Sequence, residues 1–273
     1  MIKCISPIDE SIYVERNLHS NEEIASAIFK ARIAHKKWSQ LDLKERIVLL
    51  ENALEYFKEH REDIAEEITW QMGRPISFSQ REVTGLMERA QYMLDKAPEC
   101  LATKTPAEKE GFTRYIKRES LGVVVVLAPW NYPYLTSVNS IIPALAAGNT
   151  VILKHSSQTP LCAERYFEAF KKAGLPEGVF QYLHLDHDKT EALVQSKIIK
   201  HVAFTGSVEG GTSLEHSLAG SFKGLALELG GKDSAYVHTD AMLEKTVESL
   251  VDGAFFNSGQ SCCGIERIYV HEE

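Results

Sequence analysis

The chain has 273 residues, 44% of them hydrophobic and 25% charged, and a formal net charge of -8. That length and apolar content suffice for one large domain or two small ones around a sizeable core. The acidic balance argues against nucleic-acid and anionic-membrane partners, which demand concentrated Lys and Arg.

No stretch reaches the ~18 uninterrupted apolar residues of a membrane span. The amino terminus, MIKCISPIDESIYVERN, carries Asp9, Glu10 and Glu15 and has no apolar run of signal-peptide length. Cysteines stand at 4, 100, 162, 262 and 263. They are odd in number, irregularly spaced and without a CxxC pair, so no metal site is expected and free thiols in a reducing, cytoplasmic setting are.

Residues 1–100 read as helical. Ser20 is an N-cap type of residue, and the segment after it places Ile24, Ala27, Ile28 and Ala31 on one face. A second helix is expected through LKERIVLLENALEYFKEHRED, a third through DIAEEITWQM, ended by Gly73 and Pro75, and a fourth to about Ala97. Beyond position 110 the texture changes. TRYIKRES reads as an exposed alternating strand and LGVVVVLAP as a fully buried one. Then come TVILK and CAERYFEAFKKAG, GVFQYL and KTEALVQS, KHVAFTG and a helix from about Ser207, and FKGLALEL as a further strand. Strand alternating with helix predicts an α/β fold: a Rossmann-like parallel sheet flanked by helices, behind a helical amino-terminal region. Such sheets bind ligands beyond the carboxyl ends of their strands.

Chemically useful residues follow those strands. In VVVVLAPWNYP, Asn131 has an amide able to donate to a developing oxyanion, or simply to cap a turn. Lys154 closes TVILK, either solvated or hydrogen-bonded to ribose hydroxyls. In VAFTGSVEGG, Gly206 and Gly211 bracket a helix start whose N–H groups favour a pyrophosphate, although glycines in such turns are common. In LALELGGKD, Glu228 ends an apolar run, where partial burial would raise its pKa toward that of a general base. In FFNSGQSCCG, Cys262 follows a Gly-Gln turn and needs electropositive surroundings or a helix N-terminus to become a thiolate. Taken singly, an ion-paired Glu and a small buried thiol are the ordinary readings.

Jointly and in order, PWN at 129–131, FTGS at 204–207, ELGGK at 228–232 and GQSC at 259–262 resemble the motifs of the aldehyde dehydrogenase superfamily. The resemblance extends over essentially the whole chain, including MGRP at 72–75. It implies NAD(P)-dependent oxidation of a small aldehyde to a carboxylic acid. Cys262 would be the nucleophile, passing through a thiohemiacetal and a thioester. Asn131 and the backbone N–H of Cys262 would form the oxyanion hole, and Glu228 would activate the hydrolytic water. Lys154, Ser157, Trp130, Thr205, Gly206, Ser207, Gly211 and Gly230 fall at cofactor-contacting positions. Tyr132, Thr136, Asn139, Ser261 and Cys263 would line the substrate pocket, suiting a small aliphatic aldehyde or semialdehyde. Family members acting on succinic semialdehyde often carry Arg where Asn139 stands.

The match departs from the family at His155 and Ser157, where Pro and Glu are common; loss of that carboxylate leaves NAD or NADP open as cofactor. The resemblance further implies an NAD(P)-binding domain over 1–230, with 110–120 as an oligomerisation strand, and the truncated start of a second α/β catalytic domain over 231–273. On that reading the polypeptide alone has little or no turnover and the complete protein is a homo-oligomer. Two other readings stand beside it: a non-catalytic nucleotide-binding remnant or interaction module, and a cysteine hydrolase, which would want a His base.

Overall fold

The computed structural model describes residues 1–272. It opens on an antiparallel hairpin of β1 (Ile2–Ile5) and β2 (Ile12–Arg16), where helix was expected throughout. A ribbon this short is marginal in isolation, and tertiary contacts hold it. Arg16 pairs with Glu164 at 2.7 Å, and the Tyr13 ring stacks on Trp70 with 5.7 Å between centroids. Local sequence pattern carries no trace of either partner.

The four expected helices follow as α1 (Asn21–Trp38), α2 (Leu43–Glu59), α3 (Arg61–Met72) and α4 (Ile76–Leu101). In α1 the Ser20 side chain accepts from the Glu23 N–H while Glu23 reaches back to the Ser20 N–H, closing a capping box. Left-handed Gly73 (φ 77°) ends α3. The buried residues of α4, among them Glu82, Val83, Leu86, Ala90 and Leu94, recur at helical spacing on one face.

The central sheet is parallel, built from β3 (Val123–Ala128), β4 (Thr150–His155), β5 (Phe180–Tyr182), β6 (Ile199–Gly206) and β7 (Gly224–Leu229), in the order β5-β4-β3-β6-β7. Helices α5 (Pro133–Ala146), α6 (Pro160–Lys172), α7 (His187–Gln195) and α8 (Val208–Leu218) connect the strands. β3 is apolar at every position because helices cover both its faces. Val124 and Val126 pack into the core of α2–α6, whereas Val123, Val125 and Leu127 pack with α1, α7 and α8. From β3 the chain winds outward through β4 and β5, then returns to lay β6 and β7 on the other side. The strand order therefore reverses between β3 and β6, and it is beyond the carboxyl ends at such a reversal that open α/β sheets bind ligands.

A separate strand–helix–strand unit comes last: β8 (Asp233–Val237), α9 (Leu243–Phe255), a 3₁₀ turn (Phe256–Gly259) and β9 (Ile265–Val270). Among the described residues β8 and β9 pair, in parallel, only with each other. The strand expected over 110–120 is not formed. Residues 102–119 run exposed and irregular, joined by the isolated bridges Lys104↔Ile116 and Lys109↔Phe112. The segment doubles back on itself, so its alternating pattern finds no sheet neighbour among the described residues. Among those residues no helix is long and apolar enough to cross a membrane.

Candidate active site

The loops after β3, β6 and β7 and the turn before β9 all lie at the carboxyl edge of the sheet. Asn131 follows β3 by three residues, and its Nδ2 donates to the Gln260 carbonyl at 3.1 Å, two residues short of Cys262. The Asn131 carbonyl accepts from Asn257 Nδ2 at 2.9 Å and from Arg74 Nη2 at 3.0 Å. On the other flank, a Cβ on Gly231 would stand 3.3 Å from the Cys262 carbonyl oxygen, so the ELGGK loop lies against the cysteine loop. Thiol, amide and carboxylate-bearing loop thus share one corner, although they come from residues 131, 228 and 262.

One expectation about their chemistry is corrected. Glu228 is exposed rather than partly buried, because β7 is an edge strand bonded, among the described residues, to β6 alone. The surroundings of Cys262 are not electropositive. Partial desolvation of its sulfur and then Cys263 push the thiol upward, its own backbone N–H opposes them, and Glu228 adds a smaller upward push. The residue is exposed overall.

Lys154 is the penultimate residue of β4 and is half-buried. By strand alternation it shares the face of Ile152, which packs with Leu193 and Val194 of α7 and Leu214 and Leu218 of α8. Burial pulls its ammonium downward against the attraction of Asp186, and it makes no hydrogen bond or ion pair among the described residues. Ser207 caps α8 on that face, its hydroxyl accepting from the Gly210 N–H at 3.0 Å. The N–H groups of Val208 and Glu209 donate to no protein acceptor among the described residues, leaving the helix start open to an anion. Thr205 and Gly206 close β6 and deliver the chain to this cap. Gly230 meets open space where a Cβ would be, whereas Gly206 is crowded by its neighbour Phe204.

Gly211 has a different part from the one expected. It is buried inside α8, its N–H is spent on the Ser207 carbonyl, and a Cβ there would lie 2.7 Å from Leu229 Cδ2. It brings α8 close to β7 and offers no donor to a ligand. Trp130 stands exposed at the rim, and Ser157 is exposed in the loop after β4. Of the pocket positions, Tyr132, Ser261 and Cys263 cluster beside Cys262; Ser261 Oγ is 3.3 Å from Cys263 Sγ. Thr136 and Asn139 lie further along α5, bonded to the Tyr132 and Leu135 carbonyls.

Sequence reading missed Arg74, Glu82, Asn257 and Phe256. The Tyr132 ring stacks on Phe256 at 6.2 Å, with the Arg74 guanidinium 4.7 Å over its centroid. His155 replaces the proline common in the family with a buried buttress. Its Nε2 lies 3.0 Å from the Pro133 carbonyl, and its Nδ1 accepts from the Ser156 N–H and lies 3.0 Å from Thr159 Oγ1.

Fold and site together define a doubly wound α/β protein with a thiol set against a side-chain amide at the carboxyl edge of its sheet. The chain belongs to the aldehyde dehydrogenase family, whose family model matches residues 1–273. It is 33% identical over 258 residues to an aldehyde dehydrogenase of Paenarthrobacter nicotinovorans, covering 93% of this chain and 56% of that one. A succinate semialdehyde dehydrogenase [NAD(P)+] of Escherichia coli is 30% identical, with 92% of this chain and 54% of that one covered. Among solved structures, the succinic semialdehyde dehydrogenase of Streptococcus pyogenes in complex with NADP+ superposes with a TM-score of 0.93 at 29% identity, over 99% of this chain and 59% of that one. PnpE in complex with nicotinamide adenine dinucleotide superposes at 0.94 with 30% identity, covering 99% of this chain and 56% of that one. The chain spans about half the length of the curated relatives it matches.

Proposed function

We propose that this chain carries the thiol, oxyanion and cofactor-facing parts of an NAD(P)-dependent oxidation of an aldehyde to a carboxylic acid. The observation that carries the reading is the bond from Asn131 Nδ2 to the Gln260 carbonyl, with the ELGGK backbone against Cys262. One corner thereby offers a nucleophile, a donor for an oxyanion and a carboxylate on the neighbouring strand end.

A nicotinamide dinucleotide fits the residues present. The open N–H groups at the start of α8 and the Ser207 hydroxyl suit a pyrophosphate, and unpaired Lys154 on the same face suits ribose hydroxyls. A groove of about 640 Å³ between α7 and α8, lined by Gln195, Glu209, Thr212 and His216, continues from that helix start. The bound cofactor supplies an acceptor for the hydride that leaves the substrate carbon.

The remaining steps belong to the chain. Cys262 loses its proton to Glu228 or water, and its sulfur adds to the aldehyde carbon. The second Asn131 N–H and the Cys262 N–H hold the oxyanion. Loss of hydride turns this thiohemiacetal into a thioester. Glu228 then takes a proton from water, whose oxygen displaces the Cys262 sulfur and releases the acid; a positioned base of this kind contributes about 10²–10⁴-fold. An exposed thiol pushed upward favours little or no steady turnover in the 273-residue polypeptide by itself. The exposed 102–119 segment supports homo-oligomerisation of the whole protein.

The test mixes the chain with a short aldehyde and either cofactor, following reduced-cofactor absorbance and the mass of the Cys262 peptide. Cofactor reduction and a thioester adduct, both abolished by Cys262→Ala, are expected, with Glu228→Gln accumulating the adduct. Neither signal in the parent chain sinks the proposal, leaving a nucleotide-binding module without chemistry.

A further inference from the structure

The turn that delivers Cys262 is built from unfavourable backbone. Asn257 (φ 54°, ψ 37°), Ser258 (φ 59°, ψ 31°) and Gly259 (φ 75°) occupy the left-handed region in succession, and two of the three are not glycine. L-residues resist that conformation, so it persists only where the surroundings over-determine it.

We propose that Arg74, Glu82 and Asn257 form a clamp that locks this turn onto Asn131, and that they are positioning residues for the chemistry of Cys262. The inference rests on reading Cys262 as the nucleophile. Asn257 is buried, and every polar group of its side chain is engaged. Its Oδ1 accepts from Arg74 Nε at 2.6 Å, while its Nδ2 donates to the Asn131 carbonyl at 2.9 Å and the Gln260 carbonyl at 3.1 Å. Arg74 extends the same grip. Its Nη1 pairs with Glu82, and its Nη2 donates to the Asn131 carbonyl at 3.0 Å. A planar guanidinium spreads these three donors over three nitrogens in a fixed fork, whereas the three N–H groups of a lysine radiate from one atom and do not span the same acceptors.

Glu82 anchors the arrangement to the scaffold. Its second oxygen accepts from the N–H groups of Tyr134 and Leu135 at 3.0 and 2.9 Å, in the first turn of α5. The Arg74 and Glu82 side chains are 4% and 0% exposed. A buried ion pair roughly breaks even against well-packed apolar residues, so stability alone does not call for one here. What this pair does is join α4, the start of α5, the Asn131 backbone and the left-handed turn through four rigid contacts. The Asn131 amide meets the Gln260 carbonyl two residues before Cys262, so the clamp sets the spacing between oxyanion donor and sulfur. Errors of about 1 Å in such spacing cost on the order of a hundredfold in rate.

Two variants of the full chain separate positioning from folding. Asn257→Gly tolerates the left-handed backbone yet deletes all three side-chain bonds; Arg74→Lys keeps a charge for Glu82 but loses the fork. Hydrogen exchange is measured on peptides covering 256–264. Acylation of Cys262 by p-nitrophenyl acetate is followed as a burst of p-nitrophenolate, with the adduct located by mass. We expect loop exchange at least about tenfold faster and acylation at least about tenfold slower in both variants, with half-saturating ester concentration and the exchange of β3 unchanged. Parent-like exchange and acylation in Asn257→Gly would overturn the clamp, since backbone conformation alone would then suffice. Parent-like rates in Arg74→Lys would show that charge without the fork is enough, and would overturn it equally. Faster exchange with unchanged acylation would overturn the positioning role. A parent chain that forms no Cys262 adduct would sink the reading of function instead, and the exchange result alone would then decide the clamp.

Discussion

His155 makes stability depend on pH below the ordinary imidazole range, as do the half-buried His35 and His201, which burial also pulls downward. His155 is buried at the end of β4, and that burial, helped by Lys154 and His184 and opposed by its bond to Pro133, pulls its pKa from 6.5 down to about 4. Above pH 6.5 the imidazole is neutral in folded and unfolded chains alike, so its contribution is complete. As pH falls toward 4 the unfolded chain takes up a proton that the folded chain refuses, and stability is lost progressively. Below about 4 both states are protonated and the loss from this residue stops. The gap between 6.5 and about 4 is worth roughly 3 kcal/mol in all. Glu164 acts later: burial opposes its charge, but the bonds from His184 and Arg16 win and hold it at about 2, so its stabilisation fades only from 4.5 downward. The assay is urea unfolding of the parent and His155→Gln between about pH 7 and pH 4.5, taking the difference in unfolding free energy at each pH. Gln keeps a donor for the Pro133 carbonyl and an acceptor for Ser156, but does not titrate. The parent's advantage should shrink by about 2 kcal/mol or more across that range. A constant difference would refute the argument.

Three further outcomes follow from particular contacts. Lys154→Met should weaken nicotinamide-cofactor binding at least about tenfold by fluorescence titration, since an ammonium without a protein partner among the described residues is removed from reach of the ribose; unchanged affinity would take Lys154 out of the site. With serine at 157, NAD and NADP should differ by less than about a thousandfold in affinity, and Ser157→Glu should cost NADP at least about tenfold while sparing NAD. A larger NAD preference in the parent would end the case for a permissive site. Gly178→Ala should cost roughly 2 kcal/mol or more in urea unfolding, because φ is +86° and the new Cβ would lie 2.8 Å from the Lys30 carbonyl of α1.

How far the sequence could be read varies with the range of the interaction. Helices α1 to α4 were legible because capping residues and apolar periodicity are local; Ser20 and Glu23 cap α1 from three residues apart. The unbroken apolar run of β3 identified a strand covered on both faces, and the motifs after the strands named Asn131, Lys154, Ser207, Glu228 and Cys262. The same apolar pattern misled at Glu228, since an edge strand and a central strand can share a composition. The 110–120 segment alternates like a strand yet pairs only with itself. Arg74 was visible within MGRP, but its role was not: its partners stand 8, 57 and 183 residues away.

By itself, then, the sequence determined the succession of helices and strands, the parallel α/β class and the residue types at the strand ends, because each depends on backbone preferences and neighbours within a turn or two. Tertiary structure alone decided that Glu228 faces solvent, that Gly211 packs a helix rather than binding a ligand, and that Arg74, Glu82 and Asn257 meet behind Asn131. Those outcomes depend on which distant segments share a surface, and burial, charge pairing and left-handed turns are set only once that surface exists.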